Sequence, residues 1–321
     1  MTTGAFRYID PSSYTSRTGE HVKPWGKVDG PGTSYRLVSR SRPVTNIRGR
    51  ESEFSPDISG FAVYKSPLSR TFDFDNDADV REGYYADIQA LLKEKLEGIK
   101  KVVIFDHTIR KRDKDAPRQP VQQVHVDQTA GAAEARVRRH LPENEVEELL
   151  SRRYQIINVW RPISHPATDF PLAVIDWRTT SPEDFIAVDL LYPKRTPLSE
   201  TSGNASHDDD DRGKEVVPDP SAWESTENYE VRGETFAVRP NDSHEFWYMK
   251  DMTPDEAMFI KCFDSIGQGL PKGKDGIARC TPHTAFEDPA TPEDAKGRQS
   301  IEVRCLIFYE EDSCEVIRNR G

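Results

Sequence analysis

The sequence predicts a mainly β protein with flanking helices, in which many short strands form a sandwich or a barrel. Strand-like segments separated by turns dominate the chain after residue 153, and the main helical segments precede them. Closely spaced short strands are typical of sandwiches and barrels, whereas the scarcity of intervening helices argues against a parallel, doubly wound sheet. With 321 residues and 35% hydrophobic content, the chain is long enough to bury one large core.

The amino-terminal part of the chain is predicted to contain an arm, two strands and a helix. Residues 1–50 are rich in Ser, Arg, Gly and Pro, which predicts an extended, irregular arm that precedes a single domain over residues 51–321. Residues 60–65 are predicted to form a short strand. Apolar residues recur at helical spacing over residues 79–100, and a buried strand is expected directly afterwards, over residues 101–106.

A second helical stretch and a series of strands complete the prediction. The helical pattern covers residues 132–153 and is expected to break at Pro142, with Glu143 and Glu145 in the first turn after the break. The segment 199–220 is acidic and polar, which predicts a mobile loop or a lid. The later strands are predicted at residues 154–161, 171–177, 186–192, 229–238, 245–249, 257–263, 277–283 and 300–309.

Composition excludes several classes of function. The net charge of −11 argues against nucleic acid and acidic membranes as partners, and no apolar run is long enough to span a bilayer. A cytoplasmic protein is expected, and its oligomeric state is left open. The four cysteines form no C-x-x-C pattern, which predicts reduced, mostly buried thiols and no zinc site. The basic cluster Arg136, Arg138 and Arg139 is interpreted as the exposed face of a helix.

The most informative motif is His125-Val126-Asp127, at the end of a strand-like run over residues 120–127. Side chains two residues apart on a strand point to the same face, so His125 and Asp127 are expected to converge. Together with a second histidine they would form the two-His-one-carboxylate site that binds Fe(II) and leaves coordination positions open. The motif alone is a weak signal, because His207 begins a second His-x-Asp inside the acidic loop.

A distal histidine and an anion-binding strand are expected downstream. His244 and His283 are the candidates for the third ligand, and His283 is preferred because the charged strand 298–304 follows it closely. On that strand Arg298, Ser300, Glu302 and Arg304 alternate with apolar residues and share one face. Charged groups facing an interior need a polar occupant, and an Arg-x-Ser pair can hold a carboxylate. The alternative is an exposed edge strand with salt bridges to Glu302.

The order of these motifs resembles the Fe(II)/2-oxoglutarate oxygenases. Within that class the chain is similar, over roughly residues 46–310, to the fungal hydroxylase/desaturases related to gibberellin desaturase and the cephamycin methoxylation protein CmcJ. The segments that carry the resemblance are VIFDHTIR (103–110), VHVDQ (124–128), NVWRP (158–162), PLAVID (171–176), KCFDS (261–265), HTAFEDP (283–289) and the strand 298–304. The resemblance implies a double-stranded β-helix, a cupin-like jelly roll.

The same resemblance implies ligands and roles. It implies Fe(II) at His125, Asp127 and His283, with O2 as oxidant, and it implies 2-oxoglutarate at Arg298. Further candidates for anion contacts are Ser300, Arg304 as the alternative clamp, and Arg161 for co-substrate or substrate. Trp160 is either a pocket residue or a core aromatic, and His107 is interpreted as a structural histidine.

The resemblance also implies the kind of reaction. The expected function is oxidative tailoring of a small molecule in specialised metabolism, by hydroxylation, desaturation or oxidative ring formation. Two alternatives stay open. One is a jelly-roll metalloenzyme that does not use 2-oxoglutarate, and the other is a non-catalytic module that binds a small molecule.

Overall fold

Fourteen strands and four α-helices are found in the computed structural model, which describes residues 1–15, 22–28, 32–113, 118–194 and 225–310. The strands, in chain order, are β1 (Thr2–Ile9), β2 (Trp25–Lys27), β3 (Leu37–Asn46), β4 (Phe61–Lys65), β5 (Ile99–Lys111), β6 (His125–Val126), β7 (Tyr154–Pro162), β8 (Leu172–Ile175), β9 (Phe185–Pro193), β10 (Tyr229–Val238), β11 (Phe246–Tyr248), β12 (Glu256–Asp264), β13 (His283–Ala285) and β14 (Gln299–Tyr309).

The strands form two sheets. The larger has nine strands in the order β1-β3-β11-β8-β13-β6-β10-β9-β2, and the smaller has five in the order β4-β12-β7-β14-β5. One buried apolar cluster contains side chains of both sheets, among them Val174 and Trp247 from the larger and Ile156 and Leu306 from the smaller. The two curled sheets therefore enclose a common core, as in a jelly roll.

The helices flank this core. They are α1 (Asp77–Asp79), α2 (Tyr85–Lys95), α3 (Ala130–His140) and α4 (Glu143–Ser151), with a π-helical turn at Val80–Tyr84 and 3-10 turns at Pro11–Tyr14, Glu51–Glu53, Trp177–Thr179 and Pro182–Asp184. The side chain of Thr129 caps α3 by accepting a hydrogen bond from the backbone N–H of Ala132. The break predicted at Pro142 separates α3 from α4.

Strand β14 shows how the two faces of the smaller sheet differ. Ile301, Val303 and Cys305 join a second apolar cluster with residues of α2 on one face. The residues between them alternate to the other face, which contacts the core and the cavities described below. The shared face predicted for Ser300, Glu302 and Arg304 is therefore confirmed.

Several predictions about elements differ from the structure. The expectation of irregular structure over residues 1–50 is wrong, because β1, β2 and β3 lie there and belong to the larger sheet. The mostly exposed, Ser- and Arg-rich β3 dominated the composition of this region and hid the alternation of β1, whose inward residues Phe6 and Tyr8 are fully buried.

Two predicted strands are also much shorter than expected. The run 120–127 is a strand only at His125–Val126, and the run 277–283 is irregular until β13 begins. The predicted loop at 199–220 lies outside the described residues. None of the helices in the described ranges is long and apolar enough to cross a membrane.

Candidate metal centre

Three side chains from neighbouring strands of the larger sheet converge on one point. His283 on β13 lies directly opposite His125 on β6, and Asp127 follows β6 on the same face as His125. Nε2 of His125 lies 3.4 Å from Oδ1 of Asp127, and Nε2 of His283 lies 3.9 Å from the same oxygen. One ligand atom from each residue fits within 4.8 Å of the others, a spacing suited to one metal ion.

Backbone hydrogen bonds set the tautomers of both histidines. Nδ1 of His125 lies 2.7 Å from the carbonyl oxygen of Gln123, and Nδ1 of His283 lies 3.1 Å from that of Thr281. A carbonyl oxygen only accepts, so each Nδ1 donates its proton, and in the neutral ring Nε2, on the side of Asp127, carries the lone pair. Metal-binding histidines are commonly oriented in this way, so the donor set fits a divalent transition metal.

The smaller sheet holds the second oxygen of Asp127. Nδ2 of Asn158 donates to Oδ2 of Asp127 at 2.8 Å, and Nε of Arg304 lies 3.4 Å from the same oxygen. Arg304 pairs across β14 with Asn158 on one side and with Asp106 on the other. Because Oδ2 is occupied by these contacts, Asp127 presents Oδ1 to the metal position.

Burial and neighbouring charges shift the pKa values of all three candidate ligands. Burial and the neighbouring His125 lower the pKa of His283 to about 4. Burial alone would lower the pKa of His125, but the Asp127 carboxylate outweighs it and raises that pKa. Burial would raise the pKa of Asp127, but His125, Arg304 and His283 hold it well below its ordinary value. The centre therefore carries an ionised carboxylate beside a neutral His283, both of which are forms that bind metal.

A narrow cavity adjoins the three ligands on the side of β14. It has a volume of about 30 Å³ and is lined by Thr108, Arg110, Val121, His125, Asp127, Trp160, Leu172, His283, Thr284, Ala285, Arg298, Ser300 and Glu302. This volume is comparable with that of a water molecule in the liquid, so a five-carbon dicarboxylate enters only if lining side chains move.

Arg298 is the group in this cavity that is best suited to bind an anion. Its Nε is buried without a hydrogen-bond partner, while Nη1 donates to the carbonyl oxygen of Phe170 at 2.7 Å. Burial lowers the pKa of Arg298 to about 9, with Arg110 adding to the effect. A buried guanidinium with an unsatisfied N–H is stabilised by a carboxylate, so Arg298 and the adjacent hydroxyl of Ser300 fit a dicarboxylate co-substrate.

The backbone before β8 fixes the position of Arg298. Phe170 has φ of 44°, in the left-handed region that a phenylalanine rarely adopts, and its carbonyl oxygen accepts from Arg298. Oδ2 of Asp169 accepts from the backbone N–H of Arg298 at 3.1 Å. Nη1 of Arg112 donates to Oδ1 of Asp169 at 2.7 Å, so a second arginine fixes the position of the Asp169 carboxylate.

Two other predicted anion contacts are placed differently. Arg304 donates twice to Asp106, at 2.8 and 2.7 Å, and once to Thr108 at 3.1 Å, so its Nη atoms are engaged on β5. Arg161 points to the opposite face of β7 and borders neither cavity at the metal ligands.

Arg161 instead connects elements on that outer side. Its guanidinium is buried and donates to Tyr84, to the hydroxyl and carbonyl oxygens of Ser66, and to the carbonyl oxygen of Pro254. The expectation that Arg161 contacts co-substrate or substrate therefore disagrees with its position, and its role in the structure is to join β7 to neighbouring loops.

The remaining histidine and aromatic candidates lie around the core. His244 is buried and bonds Asp184 at 2.9 Å and Tyr8 at 3.2 Å, away from the metal ligands. His107 bonds Tyr85 at 2.8 Å, which agrees with a structural role. Trp160 is both a core aromatic and a wall of the narrow cavity.

The cysteine prediction can be compared for three of the four residues. Cys262, Cys280 and Cys305 are free and buried, as expected of small apolar side chains. Cys314 and the second His-x-Asp motif at His207 lie outside the described residues.

A second, larger cavity is lined by two of the three candidate ligands, His125 and Asp127. It has a volume of about 360 Å³, within the range of small-molecule sites, and its described lining is Gly26, Lys27, Val28, Thr33, Tyr35, Asp106, Val121, Gln123, His125, Asp127, Gln128, Arg136, Arg139, Val188, Leu190, Tyr192, Arg232, Thr235 and Arg304. Arg136, Arg138 and Arg139 were interpreted from sequence as an exposed helix face; Arg138 and Arg139 are exposed, Arg136 is partly buried, and Arg136 and Arg139 line this cavity. Their spacing of three residues on one helix was the available signal.

Known proteins resemble this chain over most of its length. A protein-family model described as "Oxidoreductase/YMDC permease-like domain" matches residues 6–212 and 215–308. Hydroxylase/desaturase CTB9 of Cercospora beticola is 31% identical over 97% of this chain and 87% of that protein. Hydroxylase/desaturase asaB of Aspergillus flavus is 34% identical over 87% of this chain and 85% of that protein.

A solved structure shares the fold. The iron and alpha-ketoglutarate-dependent endoperoxidase NvfI superposes with a TM-score of 0.72 at 24% identity, over 96% of this chain and 97% of that one. In the sequence comparison, the Fe(II)/2-oxoglutarate-dependent dioxygenase nvfI of Aspergillus novofumigatus is 28% identical over 82% of this chain and 81% of that protein. The jelly-roll fold expected from sequence is confirmed.

Proposed function

This chain belongs to the fungal hydroxylase/desaturase family, and on that premise we propose that His125, Asp127 and His283 bind its iron and that Arg298 binds its 2-oxoglutarate. The observation that carries the proposal is the convergence of three metal-ligand side chains beside a buried arginine whose Nε has no partner.

The protein is an Fe(II)/2-oxoglutarate-dependent dioxygenase that carries out oxidative tailoring of small molecules in secondary metabolism. Its cofactor and co-substrates are Fe(II), 2-oxoglutarate and O2. When iron is bound, it would supply oxidative chemistry in which O2 is the oxidant: two of its four oxidising equivalents convert 2-oxoglutarate to succinate and CO2, and the other two oxidise the substrate. Which of hydroxylation, desaturation and ring formation follows depends on how the larger cavity positions that substrate.

The protein side chains prepare this chemistry by orientation. His125 and His283 each donate Nδ1–H to a backbone carbonyl, which fixes both rings and places the lone pair of each neutral imidazole on Nε2. Asn158 donates a hydrogen bond to Oδ2 of Asp127, and Arg304 forms an ion pair with the same oxygen, so that Oδ1 is the oxygen that would face the metal. With three protein ligands on one side, the opposite side stays available to co-substrate and oxygen.

Arg298 gives the co-substrate its orientation. The carbonyl oxygen of Phe170 holds the guanidinium of Arg298 and Asp169 holds its backbone N–H, so the side chain cannot follow a misplaced ligand and the far carboxylate of 2-oxoglutarate must come to it. Ser300 supplies a hydroxyl on the same face of β14. This contact favours an enzyme that uses 2-oxoglutarate over a metalloenzyme that does not use it. Without an anion in the cavity, the buried Nε of Arg298 keeps no hydrogen-bond partner.

Anaerobic spectroscopy tests the proposal. Protein with Fe(II) and 2-oxoglutarate under nitrogen is expected to show a weak metal-to-ligand charge-transfer absorption, which His125→Ala abolishes. The matched control is His165→Ala, because the His165 ring bonds the neighbouring carbonyl oxygen of Pro166 and lines neither cavity. No absorption with the wild type, or an undiminished one in His125→Ala, contradicts the site.

A further inference from the structure

The larger cavity adjoins the metal ligands and is the space in which a substrate would lie. It shares Val121, His125 and Asp127 with the narrow cavity. Arg298 and Ser300 line the narrow cavity and not the larger one. Substrate and co-substrate can therefore occupy separate spaces that meet at the metal position.

The basic side chains of the larger cavity already interact with other groups of the protein. Arg304 donates two hydrogen bonds to Asp106, and Nε of Arg232 lies 2.9 Å from the carboxylate of Glu230. The other basic lining residues that have interactions within the chain are Lys27, Arg136 and Arg139. The charge of this wall therefore does not by itself call for a charged ligand.

Most neutral polar side chains of the wall are also hydrogen-bonded. The hydroxyl of Thr33 donates to the carbonyl oxygen of Tyr35 at 2.7 Å, and that of Thr235 donates to the carbonyl oxygen of Val126 at 2.6 Å. The Tyr35 and Gln123 side chains bond each other, with Nε2 of Gln123 3.0 Å from the phenol oxygen. These four side chains have partners in the protein before a ligand enters.

Gln128 differs from these four residues. It lines the same cavity and is only 6% exposed, yet its side-chain amide has no hydrogen-bond partner in the part of the chain that the structure describes. The buried Gln155 shows the usual arrangement, because its amide donates to Asp264 at 2.7 Å and accepts from Tyr309. A buried amide without a partner is costly, and a ligand that bonds it removes that cost.

The position of Gln128 in the chain places its amide close to the metal centre. Gln128 directly follows Asp127, so their Cα atoms are about 3.8 Å apart. The next residue, Thr129, caps α3, which fixes the backbone on the other side of Gln128. A molecule held by this amide therefore lies within the length of a side chain of a metal ligand, and the contact determines which of its carbon atoms is nearest the metal.

Another part of the wall is apolar. Val188, Leu190 and Tyr192 alternate along β9 and line the cavity together. Such a surface suits the hydrocarbon or aromatic body of a small molecule.

We propose that Gln128 is a substrate-binding residue, whose amide hydrogen-bonds a hydroxyl or carbonyl oxygen of the substrate while the apolar body of the substrate packs against Val188 and Leu190. The inference rests on the proposed function, because it takes the larger cavity to be the substrate side of the metal centre. An amide has N–H donors and a carbonyl acceptor, so it binds either oxygen group. The substrate class is an apolar molecule that carries such a group near the position that is oxidised.

Equilibrium dialysis with two probes of similar shape tests the inference. The enzyme with Fe(II) and saturating 2-oxoglutarate under nitrogen is dialysed against 2-naphthol and, separately, against 2-methylnaphthalene, in which a methyl group replaces the hydroxyl. Gln128→Met keeps the length of the side chain and removes the amide. It should weaken binding of 2-naphthol about threefold to tenfold, as the loss of one hydrogen bond implies, and leave binding of 2-methylnaphthalene undiminished.

Control variants separate this contact from a general change in the protein. Gln122→Met removes a glutamine that donates to Glu287 at 3.2 Å and lines neither cavity, so it should leave the binding of both probes unchanged. If Gln128→Met does not fold, Gln128→Asn takes its place. Its amide is one methylene shorter, and it should show the same selective loss of 2-naphthol binding.

The outcomes distinguish this inference from the proposed function. No measurable binding of 2-naphthol to the wild type, or an equal effect of the Gln128 variant on both probes, overturns the inference. The charge-transfer absorption is recorded on the same samples and should persist in Gln128→Met. Its presence without a selective loss of 2-naphthol binding refutes the Gln128 contact alone. Its absence from the wild type refutes the proposed metal and co-substrate site, on which the inference rests.

Discussion

Asn158→Leu should weaken metal binding without unfolding the protein. Asn158 is fully buried and donates one hydrogen bond, of 2.8 Å, to the Asp127 oxygen that does not face the metal position. Loss of a partner that orients a metal ligand typically costs about 10- to 100-fold in metal affinity, or about 1.4 to 2.7 kcal/mol. We expect the dissociation constant for Mn(II), used here in place of Fe(II), to rise by such a factor.

The structure also limits the effect of this change on stability. Oδ1 of Asn158 is buried without a hydrogen-bond partner, so the native protein already bears the cost of an unsatisfied acceptor that leucine removes. Asp127 keeps the nearby Arg304. The free energy of unfolding of the metal-free protein should therefore fall by about 1 to 3 kcal/mol at most, which a domain of ordinary stability tolerates.

The assay is the loss of the free Mn(II) signal in electron paramagnetic resonance during titration. Asn241→Leu is the matched control, because Asn241 donates to the Asp184 carboxylate at 3.0 and 3.2 Å, away from the metal ligands. It should lower stability similarly and leave Mn(II) binding unchanged. Wild-type affinity in Asn158→Leu, or an equal loss in Asn241→Leu, would refute the reasoning.

Three further outcomes are expected. Arg298→Gln should raise the 2-oxoglutarate concentration needed for half-maximal charge-transfer absorption by about 10- to 100-fold while Mn(II) binding stays unchanged, since a charge-assisted contact is worth about 1.5 to 3 kcal/mol. Arg161→Met should lower the free energy of unfolding by about 2 to 4 kcal/mol, measured in urea, and leave the 2-oxoglutarate requirement unaltered. Burial would raise the pKa of Asp264, but Lys261 and Arg153 lower that pKa. The ionised Asp264 carboxylate therefore stabilises the folded protein above about pH 4, and this stabilisation is lost as the pH falls. Lys261→Met should make the acid-induced loss of stability shallower in urea titrations between about pH 5 and pH 2.

The parts of the site that sequence predicted depend on local geometry. His125 and Asp127 share a face because they are two residues apart in extended backbone, and the β14 side chains from Ser300 to Arg304 do so for the same reason. One face of β14 is apolar and packs on a helix, so its alternation also revealed which residues point inward. On β14, the two-residue period of the strand and the polarity of its side chains were together enough to predict which residues face the site.

Strand β7 shows where that reasoning fails. Every residue from Tyr154 to Pro162 is buried, because one face meets the common core and the other meets the helical layer. Polarity therefore could not decide whether Asn158 or Arg161 faces the metal. The structure turns Asn158 inward, to Asp127, and Arg161 outward, to Tyr84.

The division of roles between the sheets has a consequence for the enzyme as a whole. The larger sheet supplies His125 and His283, and Asp127 directly follows β6, while the smaller sheet supplies Asn158 and Arg304, which contact Asp127. Arg298 lies directly before β14 and lines the narrow cavity. The distance between the sheets is set by the apolar side chains packed between them, Trp160 among them. Since Trp160 also lines the narrow cavity, packing of the core and geometry of the site cannot be varied independently. A metal ion bound by these ligands should also stabilise the folded jelly roll against heat, by an amount that grows with the logarithm of the ratio of the free metal concentration to its dissociation constant.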